Sequence, residues 1–150
     1  MTGPVRVLVV ANRTAATDSL LETVRRRASA GPVTFHLLVP ATPRGLHRVV
    51  DPEVAGRKEA AGQLELALEL LREATGAEVT GHVGDADPVS AIYDTVHDRE
   101  VDELIISTLP RRLSRWMHID LPSKVRGLGL PVTHVEARRP PEEAVSDEAA

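Results

Sequence analysis

The sequence predicts an α/β domain: a parallel sheet of five strands with helices on both faces. Two observations carry this. The run at 5–10 is apolar but for Arg6, as in strands covered on both sides, and further strand-like runs follow at 33–39 and 101–107. Helical stretches separate the runs, so the order reads β-α-β-α-β-α-β-α-β, the alternation of a parallel sheet. The length of 150 residues suits one domain and allows a sizeable core. With one Phe, one Trp and one Tyr, that core must be built from Val, Leu, Ile and Ala.

The first strand, 5–10, is interrupted only by Arg6 and leads into a loop over 11–16. A helix starts near Asp18, with Ser19 and Glu22 at capping-box spacing. Leu20, Leu21, Val24 and Ala28 form its apolar stripe, and Gly31-Pro32 stops it. The second strand, 33–39, is followed by a loop over 40–45 that continues irregularly to Pro52. A long helix over 54–74 places Leu64, Leu68 and Leu71 inward, with Leu66 and Leu70 widening the stripe and Gly76 as C-cap. A short strand over 78–83 comes next. Asp87 then caps a helix that Pro88 opens, turning Val89, Ile92 and Val96 to the core. The fourth strand covers 101–107. Leu121-Pro122 open a short helix with Val125 and Leu128 inward, ended by Gly127 and Gly129, and the last strand covers 130–136. The domain is expected over 1–137. Residues 138–150, rich in Pro, Glu and Ala, read as a disordered acidic tail.

The net charge of −4 resides in that tail. Without Glu142, Glu143, Asp147 and Glu148, residues 1–139 hold 18 acids against 18 bases. A neutral body argues against nucleic-acid binding, which needs a basic footprint. The absence of cysteine excludes disulfides, thiolate metal sites and cysteine nucleophiles, and fits a cytoplasmic protein. No signal peptide is visible, and no apolar run approaches the ~20 residues of a membrane helix.

The candidate site lies at the carboxyl ends of the strands, where open α/β sheets bind ligands. Ser107 and Thr108 end the fourth strand there; they could donate to a ligand or satisfy loop backbone groups. No glycine occurs between Gly84 and Gly127, whereas Arg111, Arg112 and Arg115 fall in the loop. Arginine can pair with phosphate without close backbone approach. A solvated basic loop, or a patch docking the acidic tail, reads equally from the same residues. Trp116 and Met117 could stack on a base, join a partner surface over 109–118, or cover the core edge. His118 and Asp120 are the one tight His/Asp pair, with His82, Asp85 and Asp87 as nearest further ligands. That set falls short of a closed metal site, so none is expected. Ser107 lacks the flanking glycines of a nucleophile elbow and no catalytic constellation is evident, so no enzyme activity is expected. The final strand alternates apolar and polar residues, as an edge strand would.

Several segments resemble the universal stress protein family over about residues 4–137. Val7-Leu8-Val9-Val10-Ala11-Asn12 resembles its first strand, and Gly84-Asp85-Ala86-Asp87-Pro88 its G-D-P turn. Val101-Asp102-Glu103-Leu104-Ile105-Ile106 resembles A-D-L-I-V-M-G, Leu113-Ser114-Arg115 resembles L-S-R, and Gly129-Leu130-Pro131-Val132 resembles the entry to its last strand. The resemblance implies a doubly wound sheet of order 3-2-1-4-5, adenine nucleotide alpha hydrolase-like. It also implies a regulatory, stress-related protein and a homodimer through Val132–Glu136. Many members hold ATP on G-x2-G-x9-G-[ST]. Here Ser107 and Pro110 stand at the first two glycines, and Ile119 and Asp120 at the final pair. Pro110 also removes an N–H donor. The expectation is therefore a binding protein without the glycine-loop mode. Two alternatives are an interaction module using Arg111, Arg112, Arg115 and Trp116, and an arginine-based ATP or AMP site. In the latter, adenine would lie near Ala11, Asn12 and Val39, with phosphates at Ser107, Thr108, Arg111 and Arg112.

Overall fold

The computed structural model describes residues 3–12, 14–41, 52–110 and 113–137. The chain runs β1 (Val5–Val10), α1 (Asp18–Ser29), β2 (Val33–Pro40), α2 (Pro52–Thr75) and β3 (Glu78–Gly84). It continues through α3 (Pro88–Asp98), β4 (Glu103–Thr108), α4 (Arg115–His118), α5 (Leu121–Arg126) and β5 (Val132–Glu136). The strands form one sheet of order β3-β2-β1-β4-β5, and every neighbouring pair is parallel. The expected α/β class and strand order are thus what the structure has.

Successive strand residues point to opposite faces, so each strand feeds two cores. Val7, Val9, Phe35, Leu37, Val39, Val79 and Ile105 pack with Leu20 and Val24 of α1 and Ala67 and Leu71 of α2. Leu8, Val10, Leu38, Leu104 and Ile106 pack on the other side with Ile92 of α3, Trp116 of α4 and Leu121 and Val125 of α5. Two strand glycines permit close approach. A Cβ on Gly81 would lie 2.7 Å from Leu64 Cδ1 and 2.8 Å from the Leu37 carbonyl oxygen. One on Gly84 would lie 2.6 Å from Leu38 Cδ1. Among the described residues no helix is long and apolar enough to cross a membrane.

The local signals divide into those that hold and those that shift. Asp87 caps α3, its side chain accepting from Val89 N, with Pro88 in the first turn. Gly76, at φ +67, follows α2 and donates to the Arg72 carbonyl. The expected Ser19/Glu22 capping box is replaced by Thr17, whose Oγ1 accepts from Leu20 N at 3.4 Å. Thr17 has the extended backbone a cap needs, whereas Ser19 already lies in the first turn. Leu66 does not widen the α2 stripe; it is 54% exposed. It stands two residues from Leu64, which puts it on the opposite side of the helix. β4 starts at Glu103 rather than 101, because Asp102 folds back onto Arg6: the Arg6 backbone N–H donates to Asp102 Oδ2 at 2.8 Å. β5 starts at Val132 rather than 130, after Gly129 at φ +81 and Pro131. The extra helix α4, where only an arginine-bearing loop was expected, is capped by Ser114, whose hydroxyl accepts from Met117 N at 3.1 Å.

Candidate functional site

The candidate site is built by the carboxyl ends of β1, β2 and β4, and its polar groups are turned on one another. Ser107 is the next-to-last residue of β4 and is fully buried. Its hydroxyl lies 2.7 Å from Thr14 Oγ1, which is also fully buried, in the loop between β1 and α1. That loop is tight: Asn12 O accepts from Ala15 N, and Thr14 O accepts from both Thr17 N and Thr17 Oγ1. Thr108, again fully buried, donates its hydroxyl proton to Leu109 O at 2.9 Å and lies 2.9 Å from His134 Nε2 of β5. A hydroxyl has one proton, so His134 Nε2 supplies the hydrogen in the second bond.

Ala11 and Val39 are fully buried at the ends of β1 and β2, and Asn12 is 8% exposed. The structure therefore brings Ala11, Asn12, Val39, Ser107 and Thr108 to one end of the sheet. Arg111 and Arg112 lie outside the described residues, as does the 138–150 tail. Pro110 O accepts from Leu113 N at 2.8 Å, and Asp120 is exposed at φ 55 just before α5.

The shared surface of Arg115 and Trp116 does not exist. Trp116 is 2% exposed, packed with Leu8, Val10, Ile106 and Leu121, while Arg115 points to solvent. The Ser114 cap fixes the single turn of α4 so that its apolar side faces the sheet. Leu113 and Ile119 are the exposed apolar residues of this segment, at 57% and 39%. His118 and Asp120 are both exposed, and among the described residues no group of three or more His, Cys, Asp or Glu could hold a metal.

Chemically the site offers hydroxyls and amides. Ser107 is paired with another hydroxyl, which is no base, so its oxygen is not activated as a nucleophile. Ser107→Ala leaves Thr14 Oγ1 buried without its partner. The expected cost is about 1–3 kcal/mol in urea unfolding, with partial recovery when Thr14→Val is added.

One cluster was missed by sequence reasoning. His36 of β2 and His82 of β3 meet through Nε2 and Nδ1 at 2.8 Å, and His36 Nδ1 lies 2.7 Å from Thr80 Oγ1. Burial, then the Arg99 charge, pushes His36 down to about 4, and the same two causes lower His82. The available signal was the alternation of polar residues, Thr34 and His36 in one strand and Glu78, Thr80 and His82 in the other, which sets each histidine on the polar side of its strand.

No family model and no curated protein matches the sequence. Solved structures match it along most of its length. A universal stress protein from Archaeoglobus fulgidus is 18% identical, with 89% of this chain and 94% of that one covered at a TM-score of 0.61. A universal stress protein in complex with cAMP is also 18% identical, covering 91% and 100% at 0.62. One from Arabidopsis thaliana with AMP bound is 14% identical, covering 95% and 100% at 0.58. The class defined by strand order, helix layers and these likenesses is an open α/β sheet. More particularly, the fold is that of universal stress proteins.

Proposed function

We propose that the chain is a regulatory binding protein of the universal stress type that does not hold a triphosphate on a glycine loop. The observation that carries this is the Thr14–Ser107 hydrogen bond, which ties up the strand-end hydroxyl where family glycines would leave room for phosphate. Pro110 has no N–H to offer, and Thr108 is spent on Leu109 and His134. The regulatory unit spans residues 1–137 and works in the cytoplasm as a homodimer through the edge strand Val132–Glu136. It carries out no catalysis of its own.

A second reading is favoured by the ligands of its structural neighbours, which include cAMP, dAMP and AMP. A monophosphate demands fewer donors than a triphosphate. In this reading the base sits by Ala11, Asn12 and Val39, with the phosphate at Ser107, Thr108, Arg111 and Arg112.

A ligand of the native state raises the melting temperature by mass action, so thermal shift distinguishes the readings. The leading reading expects no shift with ATP or AMP at millimolar concentration. A shift with AMP alone that disappears in Arg111→Ala and Arg112→Ala supports the second.

A further inference from the structure

We propose that His36 and His82 form an acid-sensitive latch that holds the edge strand β3 onto β2. Their ring centroids are 5.0 Å apart with 34° between planes, so the facing nitrogens at 2.8 Å meet nearly head-on. The register sets Thr80 opposite His36 and His82 opposite Leu38, so the contact runs diagonally across the two strands. Such cross-strand pairs are the unit of sheet stabilisation. The chain Thr80–His36–His82 is satisfied when both imidazoles are neutral, with one proton in the gap between rings. Only when both rings are protonated do both facing nitrogens carry hydrogens, and the hydrogen bond then becomes a like-charge contact between two imidazolium ions.

The surrounding charges reinforce this. Arg99, just beyond α3, opposes protonation of both rings, and Asp98 at the end of α3 partly offsets it at His82. A groove of about 240 Å³ beside His36 is also lined by Arg6, Glu78 and Glu100. Arg6 is itself engaged by Asp102 and Glu100. The pair lacks a third metal ligand among the described residues and faces the Arg99 cation, so a proton, not a metal, occupies the gap.

Burial and Arg99 place the folded value of His36 at about 4, below the ordinary 6.5 of an unfolded histidine. The folded state therefore binds fewer protons between these values. The latch is at full strength above 6.5 and is lost as pH falls from there through about 4. β3 has β2 as its sheet neighbour and nothing beyond it among the described residues, so the loss falls on that edge first.

The test follows histidine side-chain nitrogens by NMR in the intact protein, together with amide protection factors in β3 and β1. Both imidazoles are expected to titrate below the ordinary histidine value. Protection at Thr80 and His82 should fall roughly tenfold more than at Leu8 and Val9 between about pH 7 and 4.5, solvent screening reducing the full effect. His82→Gln keeps a neutral hydrogen-bonding side chain and should flatten that difference; His97→Gln, on the exposed side of α3, should not. Ordinary titration of both rings would overturn the proposal. So would parallel loss of protection in β3 and β1. If His82→Gln does not fold, the wild-type titration still decides.

Discussion

Trp116→Ala should destabilise the protein by about 3–5 kcal/mol, measured by urea unfolding, the cost typical of truncating a buried Trp. The side chain is 2% exposed and places α4 in the buried cluster that also holds Leu8, Val10, Ile106 and Leu121. Removing it leaves a cavity between a four-residue helix and the sheet. A domain of this kind has only about 5–15 kcal/mol to lose, so the variant should be marginal at 37 °C. A surface contact residue would give a change within about 0.5 kcal/mol. Arg115→Ala, on the exposed side of the same turn, supplies that comparison.

Phe35→Ala should cost a similar amount, about 3–5 kcal/mol, from the opposite face. The chain has one Phe and one Trp, and the sheet assigns one to each core. Phe35 is 2% exposed on β2, among Val7, Val79 and Leu71. Because the sheet separates the two sites, the losses should act independently, and either variant alone should thin its own layer. An effect of Phe35→Ala below about 1 kcal/mol would mean that α2 does not seal that face.

The fold was legible because its signals are local. The runs at 5–10 and 33–39 read as covered strands without any partner being known, and Asp87-Pro88 and Gly76 mark helix ends through their own backbone preferences. For the candidate site, position alone was legible: Ser107 and Thr108 stand at a strand end beside Ala11 and Asn12. Its state was not. Whether Ser107 faces a ligand or Thr14 depends on a contact between residues 93 apart in sequence. The His36–His82 pairing depends in the same way on the β2–β3 register, which no single strand encodes. Trp116 was ambiguous because four residues of helix carry too little periodicity to show which side is apolar.

The most direct measurement is isothermal titration of purified, nucleotide-stripped protein with ATP and AMP, with and without magnesium. The account predicts no saturable ATP binding at millimolar concentration, because the strand-end hydroxyls are held by Thr14, Leu109 and His134. Saturable ATP binding that survives Arg111→Ala and Arg112→Ala would contradict it, since the loop backbone would then be cradling phosphate without glycine.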